Sequence, residues 1–160
     1  MEALNRFDRA LGRIEFVLVG LLMCAMVVLV VVAVVMRYVF GAPLIFSYDL
    51  STLLFAWTVF VGLALAERAD AHLAVNVIDH MVQPRPRQAI RALRKLLVIA
   101  VSVAFAWYGW KLYQRAGGMI PSMRISIRWL YASLPAGFAL LVIAQISGLL
   151  RILFVSDEQP

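Results

Sequence analysis

The sequence predicts an all-α integral membrane protein: four transmembrane helices, plus a short amphipathic interfacial helix between spans two and three. Three observations predict it. Apolar residues make up 64% of the 160-residue chain and charged residues 15%, whereas soluble domains are about half apolar and about a quarter charged. Four apolar runs are long enough to cross a bilayer, and none shows the period-two alternation of a membrane barrel strand. A chain of this size cannot bury so much apolar surface in water, which excludes a soluble enzyme. Cys24 is the only cysteine, which excludes an internal disulfide, a cysteine-ligated cluster and thiol–disulfide exchange within the chain.

The first run, Phe16 to Met36, carries no charge and extends about 32 Å at ~1.5 Å per residue, enough for the ~30 Å hydrocarbon core. Arg6, Arg9 and Arg13 precede it. It is longer than the ~7–15 residues of a signal-peptide core and no small-x-small site follows Met36, so an uncleaved anchor is expected. The second run is Leu50 to Ala66. The third, Leu96 to Trp110, reaches spanning length with Ala89 to Leu93 before it or Leu112 and Tyr113 after it. The fourth is Leu130 to Leu150. With their flanks the spans are expected at 14–36, 48–67, 90–113 and 129–153, in a single membrane domain covering 1–160.

Between spans two and three, His72, Asn76, Asp79, His80 and Gln83 recur at threes and fours, with Leu73, Val77, Ile78 and Met81 on the other face. That pattern predicts an amphipathic helix over 71–83, lying on the cytoplasmic membrane surface and ended by Pro84 and Pro86. Arg87, Arg91, Arg94 and Lys95 follow at helical spacing; with Arg68 and His72 they are expected at the cytoplasmic interface, against lipid headgroups. Gly117, Gly118 and Pro121 mark a turn, surrounded by Trp107, Trp110, Tyr113, Trp129 and Tyr131 as an outer aromatic belt. Pro135 should kink or loosen the fourth span.

Basic residues set the orientation. Arg6, Arg9, Arg13, Arg68, Arg85, Arg87, Arg91, Arg94, Lys95 and Arg151 fall on one side, and Arg37, Lys111, Arg115, Arg124 and Arg128 on the other. Both termini are therefore expected in the cytoplasm. The third loop nevertheless holds more basic residues than that rule prefers.

Ion-coupled transport needs ionisable groups at mid-membrane depth. The inner two-thirds of these spans contain no Asp, Glu, Lys, Arg or His. Glu15, Asp49 and Glu67 sit at span ends and read as interfacial charges. His72 and His80 lie outside the spans and cannot serve as paired haem ligands. No phosphate loop, nucleophile arrangement or metal cluster is present in the sequence. The expectation is a chain with no catalytic residues, no metal site and no cofactor. What the spans offer is contact surface. Ser133, Gly137, Ala144 and Gly148 form a small-residue stripe, Gly62 and Ala66 another, and such stripes let helices approach closely. Gln145 needs a hydrogen-bond partner in hydrocarbon, from another span or another chain. Ser133, Gly137, Ala144, Gln145, Gly148, Gly62 and Trp57 are the candidate partner interface; the alternative is that the small residues fill the chain's own bundle. Arg37 and Asp49 flank a short outer loop and are placed to pair across it.

An ordered set of motifs carries a resemblance. Arg37-Tyr38-Val39-Phe40-Gly41 closes span one, then come Pro43, Ser47-Tyr48-Asp49-Leu50, Trp57 and Phe60-Val61-Gly62. Arg68 and His72-Leu73-Ala74-Val75 follow span two, and Pro135-Ala136-Gly137 opens span four. From Arg37 to Gly137 the chain resembles the small membrane subunit of tripartite ATP-independent periplasmic (TRAP) transporters. The resemblance implies a bacterial inner-membrane system for sodium-coupled uptake of organic acids. In such a system a periplasmic protein captures substrate and a large multi-span subunit holds the sodium and substrate sites. The small subunit scaffolds the large one and helps receive the binding protein, with Arg37, Tyr38, Phe40, Gly41 and Asp49 in the outer docking loop. The family's histidine after span two matches His72. Its usual glutamate at the start of span two is replaced by Tyr48-Asp49, which leaves one carboxylate there. The resemblance also implies an elongated layer of helices. The competing reading is a self-sufficient four-helix carrier or membrane enzyme, which needs the mid-span charge this chain lacks.

Overall fold

The computed structural model describes residues 2–79 and 84–155, with side-chain surroundings for 6–69 and 93–149. It contains four long helices, α1 (Glu2–Tyr38), α2 (Ser47–Asp79), α3 (Pro84–Arg115) and α4 (Arg128–Val155). Each is long and apolar enough to cross a membrane.

The helices run further than the expected spans. At ~1.5 Å per residue the 37 residues of α1 extend about 55 Å, well past the hydrocarbon core. The segment expected as a separate amphipathic helix is, as far as Asp79, the continuation of α2. Neither Gly nor Pro lies between Glu67 and Asp79, so nothing there stops a helix once it leaves the bilayer. Residues 80–83 lie outside the described residues, as do the side chains of His72, Arg87 and Arg91. Pro84 and Pro86, expected as terminators, instead open α3. In the first turn the missing N–H has no helical partner to lose.

Just past the end of α1, Gly41 has a φ of 65°, which lets Ala42 N–H reach back to Met36 C=O at 2.9 Å. An L-residue with a side chain is strained in that region, which explains the glycine closing the Arg37–Gly41 motif. The turn expected after Gly117 holds a two-stranded antiparallel ribbon, β1 (Met119–Ile120) and β2 (Ile125–Ser126), with Met119 opposite Ser126 and Ile120 opposite Ile125.

The four helices form a layer. α1 packs on α2, α2 on α4 and α4 on α3, with little α1–α4 contact. The two flanking helices therefore bury one narrow stripe each. On α1 the less exposed positions are Asp8, Leu11, Gly12, Glu15, Val19, Leu22, Met26, Leu29, Ala33 and Met36, which from Gly12 onward are spaced by threes and fours. On α3 they include Lys95, Ser102, Ala106, Gly109 and Tyr113. Between Phe16 and Met36 the remaining surface of α1 is apolar and uncovered, including Val27 at 57% and Val31 at 55% exposure, as suits a helix bathed in lipid.

Glycines set the two close crossings. A Cβ on Gly137 would lie 2.6 Å from the carbonyl carbon of Phe60 on α2. A Cβ on Gly109 of α3 would lie 3.1 Å from the Pro135 ring on α4. Between these crossings Phe138 of α4 stacks on Phe105 of α3 at 5.1 Å and meets Phe60 of α2 at 6.0 Å. The small stripe of α4 is thus covered by the chain itself: Ser133 is 1% exposed and Ala144 5%. Dispersion between close backbones and stacked rings holds this seam, since lipid supplies no hydrophobic drive for helix association.

Candidate functional site

At the end of the layer that carries the start of α1, all four helices contribute to one buried polar cluster. Arg68 of α2 is its centre. Its Nε donates to Glu15 Oε2 at 2.8 Å and an Nη donates to Glu15 Oε1 at 3.2 Å, a two-pronged grip on the α1 carboxylate. Its other Nη donates to Asp8, also on α1. Ser147 of α4 donates to the same Asp8 oxygen at 3.0 Å. Beside this, Lys95 of α3 lies 3.3 Å from Glu67 of α2 and 3.3 Å from Gln145 Oε1 of α4. Glu15 is 2% exposed and Gln145 1%.

Local sequence makes room for both cations. Gly12, one turn before Glu15, would place a Cβ 3.3 Å from Arg68 Cδ, so the absence of a side chain lets the arginine stem pass against α1. Gly148 would place a Cβ 2.6 Å from Lys95 Nζ, so it forms the slot for the ammonium. Charges this well removed from water are tolerated only when paired and hydrogen-bonded. Here carboxylate, guanidinium, ammonium, amide and hydroxyl satisfy one another across helix boundaries. The cluster can fix helix register and rotation. It sits at the span ends, so it offers no ionisable group at the bilayer centre.

Several expected positions change meaning. Arg68 and Lys95, expected at lipid headgroups, are turned inward because carboxylates on neighbouring helices reach them; Arg94, one residue away, is exposed. Gln145 and Gly148, expected to meet a partner chain, instead hold Lys95. Ser133, Gly137 and Ala144 fill the seam between the chain's own helices. Trp57 donates its indole N–H to the Trp129 carbonyl at 3.1 Å, again within the chain. Gly62 alone of the expected interface glycines faces open space, with nothing within 4 Å of where a Cβ would lie. Asp8 and Ser147 were not expected in any site. The signal was available in the heptad phase of α1, where Asp8 and Glu15 share the face that packs on α2.

At the opposite end, Ser122 of the ribbon turn donates its hydroxyl to Asp49 in the first turn of α2. Arg128 Nε donates to Ala116 C=O at 3.0 Å. The ribbon is therefore pinned to α2, and the start of α4 to the end of α3. Arg37 does not pair with Asp49; its guanidinium stacks over the Tyr38 ring at 5.6 Å. Tyr38, Phe40 and Gly41 are exposed and Asp49 is half-buried.

A family model described as tripartite ATP-independent periplasmic transporters, DctQ component, matches residues 26–154. The chain belongs to this family. The DctQ component is part of a transporter and not an enzyme, so the chain is a non-catalytic, multi-pass TRAP small permease subunit. It is 27% identical over 136 residues to the sialic acid TRAP transporter permease protein SiaT of Haemophilus influenzae, covering 84% of this chain and 21% of that protein. It is 28% identical over 102 residues to the C4-dicarboxylate TRAP transporter small permease protein DctQ of Vibrio cholerae, covering 64% of this chain and 42% of that one. The sialic acid TRAP transporter small permease protein SiaQ of Vibrio cholerae is 22% identical over 151 residues, covering 94% and 87%. The chain thus spans less than half the length of SiaT and of DctQ. The ordered motifs from Arg37 to Gly137 lie within the DctQ match.

Proposed function

We propose that this DctQ-family chain scaffolds the large multi-span component of a sodium-coupled transporter for organic acids in a bacterial inner membrane. It also helps receive a periplasmic substrate-binding protein. The sodium and substrate sites reside in the large component, and the chain itself carries no cofactor. Both termini face the cytoplasm, from the ten-to-five distribution of basic residues. The ionic cluster then lies at the cytoplasmic end and the ribbon at the periplasmic end. Arg94, exposed beside the cluster, meets lipid headgroups together with His72, Arg87 and Arg91. Arg37, Tyr38, Phe40, Gly41 and Asp49 form the periplasmic docking loop.

One observation carries the scaffold reading. The helices form a layer whose polar groups are tied to one another at its ends, with no ionisable residue at mid-depth to hold a coupling ion. The relatives support the substrate class, since sialic acid and C4-dicarboxylates are both organic acids. With the α4 stripe occupied internally, the large component is left the open faces of the layer, where Gly62 lies.

Reconstitution tests this. The purified chain alone, in liposomes with a sodium gradient, should take up no organic acid, and uptake should require the large component. Gradient-driven uptake by the chain alone would restore the carrier reading. In intact cells, a cysteine at position 94 in a Cys24→Ser background should resist membrane-impermeant thiol reagents added outside; labelling there would invert the orientation.

A further inference from the structure

We infer that the ribbon end of α3 is a binding site for an anionic phospholipid headgroup, with Lys111 and Arg115 as cationic contacts above a platform of Trp107 and Tyr108. The inference takes the orientation of the chain from the proposed function, while the headgroup chemistry it invokes is the same in either leaflet.

The four residues recur at threes and fours, so they share one face of α3. The opposite face, with Ala106, Gly109 and Tyr113, is the one turned toward α4. Trp107 is 60% exposed and Tyr108 67%, and Lys111 and Arg115 are exposed as well. Lys111 Nζ lies 5.3 Å from the centroid of the Trp107 ring and 5.9 Å from that of Tyr108. A cation held over two rings has lost part of its freedom already, so less is lost when a phosphate arrives.

These cations have no carboxylate partner among the described residues. The two outward segments, Arg37 to Asp49 and Lys111 to Arg128, contain five basic residues, Arg37, Lys111, Arg115, Arg124 and Arg128, against the single acid Asp49. Asp49 is engaged by Ser122. Basic residues on an outward segment oppose the usual topology signal, so their presence calls for a ligand of opposite charge.

Depth decides between a lipid and an acidic protein surface. Trp107 lies about 12 Å along the helix below Arg115, by ~1.5 Å per residue. Its face points sideways from the flank of the layer, and tryptophan and tyrosine at that level sit among headgroups. A soluble protein arriving from water meets the ribbon and the outer loop; a phospholipid beside the helix meets the whole stripe, phosphate at Lys111 and Arg115 and glycerol against the rings.

The test uses the full chain purified in a neutral detergent, with phosphatidylglycerol or phosphatidylcholine of identical acyl chains added and retained lipid counted by native mass spectrometry. Phosphatidylglycerol should be retained and phosphatidylcholine should not. Lys111→Gln or Arg115→Gln should each weaken retention about fivefold, and the double variant about thirtyfold. Arg124→Gln, an exposed cation at the ribbon turn, should leave it unchanged. All three sites are exposed, and an unchanged thermal midpoint verifies that each variant folds. Equal retention of the two lipids, or a double variant within twofold of the parent, overturns the inference. So does a double variant that keeps its lipid but loses capture of an acidic soluble periplasmic protein, which would assign the stripe to that partner.

Discussion

Arg68→Met is expected to destabilise the isolated chain by about 3–5 kcal/mol, the usual consequence of removing one partner from a buried ion pair. Arg68 holds Glu15 by two hydrogen bonds and Asp8 by another, and Glu15 is 2% exposed. Without the guanidinium a carboxylate is left facing apolar side chains, with no water to replace the lost bonds. In detergent the thermal midpoint should fall on the order of 10 °C. Adding Glu15→Gln to the same background removes the stranded charge and should recover part of the loss. A midpoint unchanged by Arg68→Met would show that the pair is solvated and that the cluster does not hold α1 to α2.

The second large effect is expected from Gly137→Leu. The position faces the Phe60 backbone across the α2–α4 crossing, where even a methyl carbon would overlap the carbonyl carbon at 2.6 Å. Backbone cannot rotate away as a side chain can, so the helices must separate and the Phe60–Phe138–Phe105 stack opens with them. Overpacking of ordinary cores costs about 1–3 kcal/mol, and a clash with backbone falls at or above the top of that range. The isolated chain should lose thermal stability and protease resistance before any partner is added. Gly62→Leu is the matched comparison: it projects into open space and should leave the isolated chain intact. If Gly137→Leu spares the isolated chain and weakens only its association with the large component, the crossing is not the seam described above.

Four membrane-spanning helices were legible in the sequence, and rotation about the helix axis was not. The bilayer forces long apolar runs into helices because unpaired backbone groups are too costly in hydrocarbon, so four helices follow from hydropathy alone. Their lengths were harder to read. A helix such as α2 leaves the bilayer and continues until Gly, Pro or a cap intervenes, and between Glu67 and Asp79 nothing does. The polar cluster shows the same limit. The sequence reads Glu15 as an interfacial charge and Arg68 and Lys95 as headgroup contacts, but whether a charge at a span end faces headgroups or a neighbouring helix depends on which helix is the neighbour. That information is in the pairing order α1–α2–α4–α3, a tertiary property. The ribbon was missed for another reason. Two-residue strands have no periodicity to detect, and this pair is held by Ser122 meeting Asp49 and by the chain ends it joins.

The pairing order also bears on how the chain is made. Spans two and three emerge from the ribosome one after the other, yet in the finished layer α4 stands between them, touching both. Until the last span is synthesised, α3 has no seam to dock on, and Lys95 lacks Gln145. A nascent chain halted before Arg128 would carry into the bilayer an ammonium without its amide and two uncovered faces, at Gly109 of α3 and at Phe60 of α2, with nothing against them. The fourth span acts as the keystone of biogenesis: its arrival converts a string of inserted helices into a subunit.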